Sequence, residues 1–206
     1  MPASILFWDV DTQADFIYPD GKLYVPGAEA IVPNLQRLTD WAGKNDVLVI
    51  ASACAHRHGD PEFAHYPPHC LVGTPGQQKI AETRLPNALI LPNRLVKLPR
   101  DLLSYQQIVL EKQQLDVFSN PNTDRLLDQL GPAHEIILYG VVTEICVAYA
   151  WRGLTCRGYR LRVVTDAIRH LDETSAQIFL DEIKEAGGAL ITVEELMAAL
   201  TRQPAA

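Results

Sequence analysis

Three side chains with chemical potential each follow an apolar, strand-like run. Asp11 follows "ILFWDV", Lys112 ends "QIVLEK", and Cys146 comes six residues after the close of "EIILYG". In an open parallel sheet, ligands bind outside the carboxyl ends of the strands, so polar residues at such ends carry extra weight. Cys146 carries the most. Gly140 ends its strand, Thr143 can act as an N-cap, and Glu144 and Cys146 then fall in the first turn of a helix running through about Leu154. Unpaired amides and the positive end of the helix dipole converge there, and both favour thiolate over thiol. The same amides can stabilise an oxyanion formed when the sulfur attacks a carbonyl. A strand, a turn and a helix with Cys in the first helical turn is a nucleophile geometry. No histidine lies near it in sequence. A base has to come from elsewhere, and Asp11, one strand end away, is the obvious carboxylate.

Plainer readings stand beside these. Asp11 suits a helix cap, Lys112 a snorkelling or solvated lysine, and Cys146 a buried structural thiol. A dinucleotide site at Asp11 is disfavoured, because the turn has no G-x-G-x-x-G.

The elements that must position these residues are legible from hydrophobic patterning. "ILFWDV", "VLVIASA", "ALIL", "QIVLEK", "EIILYG", "LRVVTDA" and "ALITV" are continuous rather than alternating, which predicts short strands buried on both faces. Helical spacing appears between them. Ile31, Leu35, Leu38 and Ala42 share one face within 28–44, and Ala176, Phe179, Leu180 and Ile183 share one within 172–186. Alternation of strand and helix predicts a three-layer αβα, Rossmann-like fold with a mainly parallel sheet of about six strands. With no repeat, low-complexity tract or linker, residues 1–206 read as a single domain. The stretch from His56 to Arg84 is rich in Pro, Gly and His and lacks periodicity, and a loop of that length in a compact domain is usually functional. "EELMAALTRQPAA" predicts a C-terminal helix and a frayed tail.

Composition narrows the function classes. A hydrophobic fraction of 48% with 21% charged residues describes a globular chain rather than a disordered one. A net charge of −7 without a Lys/Arg cluster argues against nucleic acid and anionic membranes as partners. Met1 to Val10 has no basic region ahead of its short apolar run, and no segment approaches the roughly 20 apolar residues of a membrane span. The expected location is cytoplasmic. Cysteines 54, 70, 146 and 156 form no CxxC pair, so reduced thiols are expected, with Cys156 packed on a helix.

On these residues the chain resembles the isochorismatase-like cysteine hydrolases, most closely their nicotinamidase branch. "DTQADF" from Asp11 to Phe16 is similar to the family's D-x-Q-x-D-F motif, Lys112 to its catalytic lysine, and "GVVTEICV" from Gly140 to Val147 to its nucleophile motif. "PPHCLVGTPG" from Pro67 to Gly76 and "GYRLRVVTDA" from Gly158 to Ala167 extend the resemblance over nearly the whole chain. It implies an Asp11–Lys112–Cys146 triad that cleaves the C–N bond of a small carboxamide through a thioester. It also implies a cis Val141–Val142 peptide with an oxyanion hole from the amides of Val142 and Cys146. Phe16 and Tyr66 would sandwich a flat, nicotinamide-like ring. Family members are often oligomers, so a homo-oligomer is expected; no organic cofactor is. Alternatives from other classes are a vinyl-ether hydrolase of the isochorismatase type, which generally lacks the cysteine, and an idle binding module on the same fold.

One departure bears on metal. Where nicotinamidases carry D-x-H, this chain reads "CAH", so Cys54 stands in place of the aspartate, while His56 and His69 keep both histidines. Cys54, His56 and His69 could form a soft site for zinc or another divalent metal; alternatively, loss of the carboxylate abolishes it.

Overall fold

The computed structural model describes residues 5–131 and 135–201. Its centre is a seven-stranded sheet: β1 (Ile5–Val10), β2 (Val49–Cys54), β3 (Ala88–Leu91), β4 (Gln107–Lys112), β5 (Glu135–Val141), β6 (Arg160–Arg169) and β7 (Ala189–Ile191). The order is β3-β4-β2-β1-β5-β6-β7, and every pairing within it is parallel. All seven apolar runs therefore form strands, one more than the expected sheet of about six. The difference lies at the edges, where β3 has four residues and β7 three.

The helices are α1 (Ala14–Ile17), α2 (Val32–Lys44), α3 (Thr123–Leu130), α4 (Ala148–Cys156), α5 (Glu173–Glu185) and α6 (Val193–Thr201). The pleat of β1 divides them into two layers. Leu6, Trp8 and Val10 point into a core shared with Leu126 of α3, Trp151 of α4 and Phe179 of α5. Phe7 points the other way, onto Leu35 and Leu38 of α2 and Leu196 of α6. This period of two, set against helical stripes, makes the three layers. The helix expected over 28–44 begins as a 3₁₀ turn, Ala28–Ile31, and becomes regular at Val32, with Pro33 in its first turn. Asp172 caps α5 by accepting from the Ser175 amide at 2.8 Å. The frayed tail expected after α6, residues 202–206, lies outside the described residues.

Strand order creates the position of the site. The chain builds β2, β3 and β4 on one side of β1, then crosses to build β5, β6 and β7 on the other. Four neighbouring strands, β4, β2, β1 and β5, end on one side of the molecule. Their registers align Cys54 with Lys112, and Val10 with both Ser52 and Gly140.

Candidate active site

Asp11 leaves β1 with a left-handed backbone, φ 49°, a conformation in which Asp is among the commoner non-glycine residues. Its side chain is buried. Oδ1 accepts from Ser52 Oγ at 2.7 Å, and Oδ2 pairs with Lys112 Nζ at 2.9 Å. Close approach of the β1 and β5 ends depends on Gly140. A Cβ there would stand 2.1 Å from the Val10 carbonyl oxygen, at a φ of 118° that side chains rarely adopt.

Lys112 is not a solvated lysine: its ammonium is 1% exposed. Besides Asp11 it reaches two sulfurs, donating to Cys54 Sγ at 3.2 Å and to Cys146 Sγ at 3.6 Å. Burial opposes the Lys112 charge, but Asp11, Cys146 and Cys54 together hold it well above the ordinary lysine range. The expected trio thus meets around one buried ammonium.

Three local expectations are corrected. Thr143 is no N-cap; its hydroxyl is buried without a hydrogen-bond partner. Residues Thr143–Val147 form a wide π-type turn, closed by the Val147 amide donating to the Val142 carbonyl at 3.0 Å, and the regular helix α4 starts only at Ala148. Such turns are frequent at functional sites. Cys146 lies in this turn, and its thiol is not poised as a thiolate. Burial pushes it well above the ordinary range, Lys112 pulls it down, and Asp11 and Cys54 push it up again, Asp11 also through a hydrogen bond. Desolvation outweighs the nearby positive charge. The expected cis peptide is present at Val141–Val142. Cys156, expected to pack, is exposed at the end of α4.

The spacing of Asp11, Gln13 and Asp15 has a structural reason that sequence reasoning missed. Asp11 supplies the carboxylate. Gln13 mimics a strand partner: its amide donates to the Cys54 carbonyl at 2.8 Å and accepts from the Cys54 amide at 2.7 Å. Asp15 holds the irregular loop through Cys70, whose amide donates to Oδ2 at 2.6 Å. The loop approaches so closely that a Cβ on Gly76 would fall 2.2 Å from Asp15 Oδ1. A second buried pair, Lys79 with Asp9 at 2.6 Å, ties the far end of the loop to β1.

The loop delivers His69 to His56. One atom each of Cys54, His56 and His69 lies within 4.8 Å of the others, and all three residues are buried. Two residues not singled out from the sequence complete the cluster. Asp60 Oδ2 contacts His56 Nδ1 at 3.0 Å, and Glu62 Oε1 lies 3.7 Å from His56 Nε2 and 3.6 Å from His69 Nε2. A Pro67 carbonyl contacts His69 Nδ1 at 2.8 Å. Carboxylate and carbonyl oxygens only accept, so each Nδ1 donates, and each ring turns its Nε2 toward Glu62. His56 Nε2 is buried with no hydrogen-bond partner. Two imidazoles, a carboxylate and a sulfur around one space suit a divalent cation, and the residues present fit one.

Phe16, Tyr66, Val142 and Cys146 line one narrow slot of about 20 Å³, together with Cys54 and Glu62. That is room for roughly one water. Trp8 is sealed in the core, and Tyr18 bonds Glu82 at 3.3 Å beside a neighbouring cleft of about 770 Å³.

A doubly wound parallel sheet, with Asp, Lys and Cys converging at its strand ends beside a His-rich cluster, defines a Rossmann-like hydrolase class. Residues 5–195 match the family model for the Isochorismatase domain, and the chain belongs to this isochorismatase-like, nicotinamidase-related hydrolase family. It is 30% identical over 208 residues to the nicotinamidase of Escherichia coli (strain K12), covering 90% of this chain and 93% of that one. An isochorismatase-like hydrolase from Alkaliphilus metalliredigens has a similar fold, with a TM-score of 0.77 at 22% identity over 96% of this chain and 100% of that one. So does the pyrazinamidase of Pyrococcus horikoshii in complex with zinc, with a TM-score of 0.74 at 21% identity over 93% of this chain and 99% of that one. Among the described residues, no helix is long and apolar enough to cross a membrane.

Proposed function

We propose that this chain is a cysteine amidohydrolase that converts a small planar, nicotinamide-like carboxamide and water into the carboxylic acid and ammonia. The supporting observation is the position of Lys112 Nζ, 2.9 Å from Asp11 Oδ2 and 3.6 Å from Cys146 Sγ. At rest the sulfur keeps its proton, because burial disfavours the thiolate. As Sγ attacks the amide carbon, Asp11 takes that proton, and Lys112 keeps the combined charge of sulfur and carboxylate near neutral. The oxyanion accepts from the amides of Val142 and Cys146. Asp11 then returns the proton to the leaving nitrogen, ammonia departs, and a thioester remains. Water, deprotonated by Asp11, hydrolyses it and restores the thiol.

Phe16 and Tyr66 favour a flat ring, each stacking contact contributing about 0.5–1.5 kcal/mol. The slot of about 20 Å³ has to widen for such a ring, and Tyr66, half-buried on the irregular loop, and Leu171 at the rim are the side chains that give way. A divalent metal held by Cys54, His56 and His69 would supply a Lewis-acidic group beside the slot. In this reading residues 1–206 act as a single, cytoplasmic hydrolase domain in a homo-oligomer.

The test is hydrolysis of a panel containing nicotinamide, pyrazinamide, aliphatic amides and isochorismate by wild type and Cys146→Ala. Ammonia release from the aromatic amides by wild type alone is expected. Full activity of Cys146→Ala on every amide that the wild type cleaves would sink the reading.

A further inference from the structure

We propose that Cys54 makes the His56–His69 centre a sulfur-ligated one, so that this chain takes a thiophilic divalent ion of the zinc class and discriminates against manganese and magnesium. The inference goes beyond the amidohydrolase reading and does not depend on it, since a chain without amidase activity would carry the same metal–sulfur bond.

The geometry supplies the argument. Ligand atoms about 2.0–2.3 Å from a tetrahedral ion stand about 3.3–3.8 Å apart. Glu62 Oε1 already lies at 3.7 and 3.6 Å from the two Nε2 atoms, while the Cys54, His56 and His69 donors are within 4.8 Å of one another, so closure about an ion needs at most about 1 Å of movement. Both imidazoles are already locked for this purpose. Asp60 and the Pro67 carbonyl hold the two Nδ1 atoms, which orients each ring with its Nε2 toward Glu62. His56 Nε2 is buried without a hydrogen-bond partner and faces Glu62 Oε1 at 3.7 Å. Cys54 is equally fixed. It ends β2, both of its backbone groups are bonded to the Gln13 side chain, and its Sγ accepts from Lys112 Nζ at 3.2 Å, a contact that would screen a bound thiolate. Binding replaces the thiol proton: Cys54–SH and M²⁺ give Cys54–S–M⁺ and H⁺. Thiolate selects zinc and similar ions, whereas magnesium and manganese prefer oxygen-rich sets.

The probes are Co²⁺ and Zn²⁺, added to the full-length protein. One equivalent of Co²⁺ should give a sulfur-to-cobalt charge-transfer band in the near ultraviolet as well as visible bands. In Cys54→Ser the charge-transfer band should vanish while the visible bands persist, and zinc affinity should fall about 100-fold or more, the upper end of what even outer-shell partners cost. Cys54→Asp should shift preference toward Mn²⁺. If the serine variant does not fold by circular dichroism, X-ray absorption of the zinc-loaded wild type takes its place and should count one sulfur at about 2.3 Å. Wild type that binds no Co²⁺, a bound ion without a sulfur ligand, or a charge-transfer band that survives Cys54→Ser would overturn the proposal.

Discussion

Lys112 and Cys54 lie opposite each other in the β4–β2 register, and the ammonium of one donates to the sulfur of the other at 3.2 Å. The same ammonium pairs with Asp11 and reaches Cys146. Two chemically distinct groups, the nucleophile with its base and the candidate metal donors, therefore share one buried positive charge.

Removing that charge should be costly. Lys112→Met leaves the Asp11 carboxylate buried and uncompensated, and should destabilise the fold by about 3–5 kcal/mol in urea unfolding. Asp11→Asn/Lys112→Met should recover a large part of this, because the charge left behind is gone. A double variant as unstable as the sum of the two singles would mean that the pair is not coupled.

Alkylation separates the four thiols. Cys146 is buried and its thiol is held above the ordinary range, whereas Cys156 is exposed. Iodoacetamide at pH 7, followed by peptide mass spectrometry, should label Cys156 first and Cys146 much more slowly. Faster labelling of Cys146 than of a free thiol would contradict the resting state described above.

Alkaline stability follows from the other buried thiols. Burial pushes Cys54 up to about 12 and Cys70 further still, from an unfolded value near 9. A raised folded value means that the native state holds protons which the unfolded chain releases. The stabilisation is full below about pH 9 and is lost as pH rises toward the folded values. Unfolding free energy of metal-free protein should therefore decline above pH 9, by about 1.4 kcal/mol per pH unit for each such thiol. Cys70→Ala should flatten that slope, as judged from urea midpoints across pH 8 to 11. An unchanged slope would exclude Cys70 from the effect.

Backbone crowding gives a further test. Gly140→Ala places a Cβ 2.1 Å from the Val10 carbonyl at a φ of 118°, and should cost about 2 kcal/mol or more in thermal unfolding. It should also slow hydrolysis, because it pries the β1 end with Asp11 away from the turn carrying Cys146. A fully active, fully stable alanine variant would show that this close approach is dispensable.

The sequence announced the sheet and the strand-end trio because both follow from short-range patterning. Continuous apolar runs become buried strands, and the residue after a strand end faces the crevice. The π-type turn was not legible: Thr143 followed by Glu144 and Cys146 matches an ordinary capped helix, and only the Val147-to-Val142 bond reveals the wider turn. The state of Cys146 was missed for a related reason, since helix position suggests a thiolate while desolvation, a property of the assembled core, decides otherwise. Asp60 and Glu62 escaped notice because an irregular loop has no periodicity to assign its carboxylates to a neighbour. His56 and His69 were legible through motif resemblance, but only the folded loop brings their rings to 4.6 Å between centroids.

The most direct test of the account is the fate of Cys146 during turnover. Wild type mixed with nicotinamide and quenched in acid within the first turnovers should carry the mass of an acyl group, mapped to the peptide containing Cys146. Asp11→Asn should carry none. An adduct on another residue, or steady hydrolysis by Cys146→Ala at the wild-type rate, would contradict the assignment of this sulfur as the nucleophile.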